Sequence, residues 1–173
     1  MQKNKFLITA IAVVVLAAAG LVYYIFRLAN RYSTLEIPEN SRKVEYMTVK
    51  VFFNNDKLDP EFSCNKVFPV EREILKTEAV GRAALTELLK GPTDAEKAQG
   101  FFTTINPGVK IQSLTIENGL AKVDFDEQLE FQVGGSCRVS AISAEIRETL
   151  KQFPTVDSVI ISINGRTEDI LQP

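Results

Sequence analysis

From Phe6 to Phe26 the chain reads FLITAIAVVVLAAAGLVYYIF, 21 consecutive residues without a charge. At about 1.5 Å per residue such a run makes a helix of roughly 31 Å, close to the hydrocarbon thickness of a bilayer. Tyr23 and Tyr24 stand near one end, where amphipathic rings settle at a membrane interface. The rival is a cleavable signal peptide, with Ala17-Ala18-Ala19 as small residues for a peptidase. The apolar run continues past that point through Leu21, Val22, Ile25 and Phe26, which is long for a secretory core. The expectation is therefore a retained transmembrane helix (signal anchor) over residues 6–26, after a short tail of residues 1–5, with no Cys nearby to carry a lipid.

Lys3 and Lys5 precede the span while Arg27, Arg31, Arg42 and Lys43 follow it, so basic residues do not decide the orientation. A five-residue leading tail makes an inside N-terminus the simplest arrangement, with the rest extracytoplasmic. Residues 1–31 hold four basic groups (Lys3, Lys5, Arg27, Arg31) and no acidic ones. Of 20 basic and 22 acidic residues, 16 and 22 fall in residues 32–173, a formal −6. A nucleic-acid binder concentrates Lys and Arg on one face, so that class is excluded. With no His in the chain, there is no Ser-His-Asp triad, no Cys-His pair and no imidazole metal ligand. Two Cys do not complete a four-thiolate metal site. No cofactor or metal is expected.

Residues 27–45 (RLANRYSTLEIPENSRKVE) contain Pro38 and no sustained period, and read as a linker; as far as Tyr32 they could equally extend the membrane helix. Tyr46 to Phe53 alternates Met47, Val49, Val51 and Phe53 with polar positions, which predicts a half-buried strand. A second strand is expected over Val67 to Ile74, with Pro69 marking an edge or bulge. Thr77 to Lys90 carries an apolar stripe of Val80, Ala84, Leu85, Leu88 and Leu89, is capped by Thr77, and stops at Gly91-Pro92. Ile111 to Asp126 is a hairpin. An Asn118-Gly119 turn pairs Ile116 with Ala121 and Leu114 with Val123, leaving Ser113, Thr115, Lys122 and Asp124 on the wetter face. Arg138 to Phe153 is a second helix, with Val139, Ile142, Ile146, Leu150 and Phe153 inward and Glu145, Arg147, Glu148 and Lys151 mostly outward. Val156 to Ile163 is a last strand closed by Asn164-Gly165. The order β-β-α-β-β-α-β predicts an α+β fold, a small mixed sheet with two helices packed on it.

Several of these stretches together resemble the GerMN domain of sporulation and spore germination. They are Val49 to Phe53, Val67-Phe68-Pro69-Val70-Glu71-Arg72, and Ala84-Leu85-Thr86-Glu87-Leu88-Leu89-Lys90-Gly91-Pro92. With them go the Asn118-Gly119 hairpin and Phe153-Pro154-Thr155-Val156 running into Ile161-Ser162-Ile163-Asn164-Gly165. The resemblance covers residues 46–166, leaving 167–173 as a C-terminal tail, and Leu-Leu-x-Gly-Pro is its most specific element. It implies a fold similar to ring-building motifs and a non-catalytic, membrane-tethered module that binds envelope proteins or itself. No catalytic residues are carried over. The family's sporulation lipoprotein has two domains and a lipid anchor, whereas this chain has one domain and an apolar helix.

Cys64 and Cys137 are an even pair in a domain expected outside the cytosol, which suggests one disulfide; the alternative is two thiols used as small hydrophobes. Asp124, Asp126, Glu127 and Glu130 form an acidic cluster that could serve glycoside hydrolysis at the cell envelope or hold Ca²⁺. The hairpin register puts the two Asp on the solvated face, and the calcium-loop pattern is missing, so a solvated edge is expected. Glu71-Arg72-Glu73 reads as a salt-bridged strand surface and Gly134-Gly135-Ser136 as a turn and cap. Phe52 and Ile160, on the nominally wet face, either mark a partner surface or pack under a loop. Besides the interaction module, two readings stay open. An envelope glycan enzyme would need two carboxylates about 5–10 Å apart. A module binding a wall polymer or small ligand would need an apolar, aromatic-lined cleft.

Overall fold

The computed structural model describes residues 2–33, 44–61 and 63–172, with side chains from residue 15 onward apart from 32 and 33. The chain divides into two units, Met1–Lys43 and Val44–Pro173. The first contains one continuous helix, α1 (Gln2–Ser33), so of the two readings of residues 27–32 the extended helix is the one present. Residues 34–43 of the expected linker lie outside the described residues. Apolar side chains of α1 such as Leu16, Leu21, Val22, Tyr23 and Phe26 are exposed. Among the described residues no helix is long and apolar enough to cross a membrane; the expected span includes residues 6–14, whose side chains are outside that description.

The second unit is α+β, but its strands form two three-stranded sheets rather than one. In the first, β1 (Tyr46–Asn55) pairs antiparallel with β2 (Phe68–Leu75) and, at Asn54 and Asn55, with the two-residue β3 (Phe101–Phe102). In the second, β4 (Ile111–Glu117) and β5 (Leu120–Phe125) form the expected hairpin, and β6 (Ser158–Ile163) joins β5 in parallel. The hairpin register is the predicted one, with Ile116 opposite Ala121 and Leu114 opposite Val123. Asn118 and Gly119 both take positive φ, 50° and 79°, as a type I′ turn requires. Helix α2 (Val80–Leu89) begins three residues later than expected. Thr77 Oγ1 accepts from the Ala79 N–H at 3.2 Å, shaping the approach instead of capping the helix. Gly91 then takes a φ of 73° and ends it.

The core is shared between the sheets. Val51 and Phe53 of β1, Ala121, Val123 and Phe125 of β5, and Ile161 and Ile163 of β6 pack with Leu85 and Leu88 of α2. Ile142, Ile146 and Leu150 of α4 (Ser136–Lys151) complete the cluster, and Leu171 is buried in it. Sheet formation splits because β1 has a second neighbour that is not a strand. Thr149 Oγ1 of α4 accepts from the Phe52 N–H at 3.1 Å, and Gln152 Oε1 from the Lys50 N–H at 2.7 Å. Gln152 Nε2 donates back to the Lys50 carbonyl. Helix side chains thus satisfy the edge opposite β2 until β3 takes it over. Pro69 lies opposite Phe52, whose N–H points to α4, so Pro69 faces the outer edge of β2, where its missing donor breaks no ladder bond.

Two further departures arise from α3 (Asp94–Ala98), which the sequence reading omits. Thr93 caps it through a reciprocal capping box with Glu96. Arg72 touches its neighbour Glu71 only through the backbone carbonyl, at 3.3 Å, and makes its ion pair elsewhere. It turns inward with Val70 and Ile74, sets its guanidinium 5.9 Å from the Phe53 ring centroid, and binds both carboxylate oxygens of Glu96. The Arg72 hydrogen bond holds the Glu96 carboxyl below its usual pKa despite partial burial.

Two glycines separate a turn constraint from a packing constraint. A Cβ on Gly119 would lie 2.2 Å from Asp157 Oδ2, the free end of a side chain that can swing away. A Cβ on Gly100 (φ 96°) would lie 2.9 Å from Asn55 Oδ1, which already accepts from the N–H groups of Lys57 and Leu58. Gly119→Ala should cost about 1–2 kcal/mol, the left-handed penalty alone. Gly100→Ala should cost roughly 3 kcal/mol, because backbone strain and overpacking add. Urea unfolding of the two variants checks the order, and equal midpoints would contradict it.

Candidate functional site

At its far end β1 runs inward. Asn54 and Asn55 are buried, because β3 and the loop after β1 cover them. Asn55 Oδ1 ends the strand by accepting from two turn N–H groups, and its Nδ2 donates to the Gln99 carbonyl. Asp59, also buried, anchors the next turn by accepting from the Ser63 N–H at 2.7 Å and from the Ser63 hydroxyl. Cys64 follows and is bonded to Cys137 in the first turn of α4, with Cα atoms 4.9 Å apart. Between the end of β1, this loop and α4 lies a cavity of about 300 Å³, bounded by Asn54, Phe102, Thr104, Ala141, Arg138 and the disulfide. The two Cys are visible in the sequence but the cavity is not, because its wall is assembled from β1, β3, α4 and the loop after β1.

Glu145 of α4, expected among the outward residues of that helix, is turned inward instead. Glu145 is fully buried. Its Oε2 accepts from the Thr103 hydroxyl and its Oε1 from the Thr104 N–H at 3.0 Å and the Thr104 hydroxyl at 3.3 Å. Burial raises its pKa from 4.5 to about 7 against the opposing pull of these donors. The reason for the misplacement is geometric. Helix α4 buries two neighbouring rows four residues apart, Ile142-Ile146-Leu150 and Ala141-Glu145-Thr149. Only the first is apolar enough to be read as a core stripe.

The acidic cluster is dispersed into structural bonds. Asp124 Oδ1 accepts from the Ser162 hydroxyl at 2.6 Å and the Gly165 N–H at 2.9 Å, fixing the turn after β6. Asp126 Oδ1 accepts from the Lys110 N–H at 3.0 Å, Glu127 opens a 3-10 turn at Glu127–Leu129, and Glu130 pairs with Arg166. Among the described residues no group of three or more acidic or thiol side chains is placed to hold a metal ion. Gly135 precedes α4 with a φ of 88° and serves as the turn into it. Phe52 is half-buried opposite Pro69, and Ile160 is 38% exposed.

The Glu145 environment has a thermodynamic consequence. Below pH 4.5 the carboxyl is protonated in both folded and unfolded chains. Between 4.5 and about 7 only the folded state keeps the proton, so stability falls as pH rises through that window and levels off above it. The loss is about 3 kcal/mol. Glu145→Gln should flatten this part of the profile in denaturant unfolding from pH 4 to 8, and an unchanged slope would contradict the assignment. Reduction of Cys64–Cys137, which spans 73 residues, should lower stability by about 2–4 kcal/mol. Thermal melts with and without reductant measure it.

The profile of the family described as Germane, sporulation and spore germination, matches residues 50–169. Among solved structures, the tandem GerMN domains of the sporulation protein GerM from Bacillus subtilis align with a TM-score of 0.54 at 20% identity, covering 71% of this chain and 41% of that one. The first GerMN domain of the same protein aligns with a TM-score of 0.52 at 21% identity, covering 70% of this chain and 85% of that one. This chain therefore spans less than half the length of the tandem structure. At these identities the likeness is one of fold. No curated protein sequence matches the chain. With the profile running through both sheets and α2–α4, the chain belongs to the Germane (GerMN) family of sporulation and spore germination domains.

Proposed function

We propose that this chain is a membrane-tethered, extracytoplasmic, non-catalytic interaction module that binds an envelope protein or a second copy of itself. The observation that carries the reading is what becomes of its reactive side chains. Asp124, Asp126 and Glu130, the carboxyls best placed in the sequence for surface chemistry, each hold a turn or an ion pair within the domain. With an oxygen of each committed to holding the domain together, these carboxyls are read as structural.

Tethering is supported by α1, whose apolar residues are exposed on every side rather than along one stripe; a helix apolar all round suits lipid. The uncharged run of residues 6–26 has the length of one span. The extracytoplasmic placement is supported by the disulfide, a bond that persists in oxidising compartments.

The edges of the first sheet are poor contact surfaces. Side chains of α4 cover β1, and β2 presents Pro69, Glu71 and Glu73 outward, the residues that discourage strand addition. A better surface lies at the entry to the domain. Tyr46 and Leu75 face each other across β1 and β2 and are 62% and 59% exposed. They border a groove of about 550 Å³ that continues past Ala79 and Ala83 on the α2 side. A photo-crosslinking residue in place of Leu75 should capture one discrete partner in intact cells, and the same residue in place of Glu168 should not. Recovery of monomer alone from both sites would reject the interaction reading.

A further inference from the structure

We infer that the open edge of β4 pairs antiparallel with β4 of a second copy of this chain, so that two β4-β5-β6 sheets join edge to edge. The inference rests on the interaction reading above and names its partner, through a surface distinct from the groove at Tyr46 and Leu75.

The direction of the β4 backbone groups follows from its neighbour. In the order β4-β5-β6, β4 is an edge. The Phe125 carbonyl accepts from the Asn164 N–H just beyond β6, so Phe125, Val123 and Ala121 turn their backbone groups toward β6. Alternation then turns Asp124, Lys122 and Leu120 toward β4, where they meet Ser113, Thr115 and Glu117. Leu114 and Ile116, interleaved with those three, present their N–H and C=O groups at the open edge. The partner that matches donors and acceptors so spaced is an extended strand.

Among the described residues the other strand edges carry devices that stop strand addition. Pro69, Glu71 and Glu73 stand on β2, α4 and β3 occupy β1, and β3 itself has two residues. At β6, Arg147 takes the Val159 carbonyl, and Ile163 and Arg166 bond each other in both directions. On β4 such a fence stands at one end only. There the ladder bulges between Ile111 and Ser113, and Arg82 donates to the carbonyls of Ile111 and Gln112. From Ser113 to Glu117 the strand has no Pro and no basic residue, and Glu117 is its one charge. Ser113, Thr115, Ile116 and Glu117 are exposed.

This window is complementary to itself. A twofold axis at Thr115 sets Leu114 opposite Ile116 of the second copy on both sides of the axis, each a hydrogen-bonded pair. Leu114 and Ile116 both pack beside Gly81 of α2, within 3.4 Å of where its Cβ would stand, so pairing extends an apolar row already in place. Thr115 meets Thr115 of the second copy, a favourable cross-strand pair. Glu117 meets Ser113, and no like charges face each other along the strands. Residues 32–173 carry a formal −6, which sets copies against one another by charge repulsion, and this edge is where that repulsion is least. One strand pair is a small contact, and copies tethered in one membrane supply the local concentration it needs.

Cysteine cross-linking of the full-length chain in native membranes, under mild oxidation and read on non-reducing gels with mass spectrometry, tests the register. The two Thr115 Cα atoms would lie about 4.5 Å apart, within disulfide reach, and the two Ser113 Cα atoms about 14 Å apart. Thr115→Cys should therefore give a homodimer at least fivefold more abundant than Ser113→Cys, although both positions are exposed on β4. Adding Ile116→Lys to Thr115→Cys should cut the dimer at least fivefold while the chain keeps its folded spectrum. Equal yields at the two positions, no dimer at either, or an adduct with another polypeptide in place of the homodimer overturns the proposal, and so does an undiminished dimer in folded Ile116→Lys. A negative result leaves capture at Leu75 unaffected, so the two readings fail separately.

Discussion

The domain depends on how one edge of β1 is satisfied. A strand has two rows of backbone groups, and a buried row without partners is costly. On one side β1 pairs with β2 along its length. On the other it meets Thr149 of α4, Gln152 just after that helix, and then β3. Because helix side chains replace a neighbouring strand, α4 is held at a set height along β1. The second sheet, which packs on the other flank of α4, cannot merge with the first.

The same contact decides where the buried polar groups lie. Turning Thr149 and Gln152 toward β1 carries Glu145, one turn earlier, into the interior. There the Thr103-Thr104 segment leaving β3 supplies its donors. Thr104 also stands in the cavity wall, so the carboxyl, the segment that binds it and the cavity form one connected structure. The disulfide closes this region by tying the loop after β1 to the first turn of α4.

Much of the fold was legible from the chain. Alternation placed β1, the Asn-Gly signal placed the β4–β5 register to the residue, and Gly91-Pro92 marked the end of α2. Helix α3 was legible too, since Thr93 to Glu96 is a capping box, but a five-residue helix has no apolar period to draw attention. The inward turn of Arg72 was not legible, because its partner Glu96 is 24 residues away. Nor was the burial of Glu145, since a charged residue beside an apolar stripe looks the same whether the neighbouring row faces water or a strand edge.

Local order and chemical exclusion were therefore settled by the sequence alone. Turn geometry, strand alternation and helix stops act over a few residues, and a chain without His is barred from whole classes of catalysis whatever its shape. The number of sheets, the cavity and the fate of each carboxyl were settled only by tertiary structure. These depend on which distant backbone groups compete for the same hydrogen bonds, and that competition exists only once α4 and β3 have come to rest along β1.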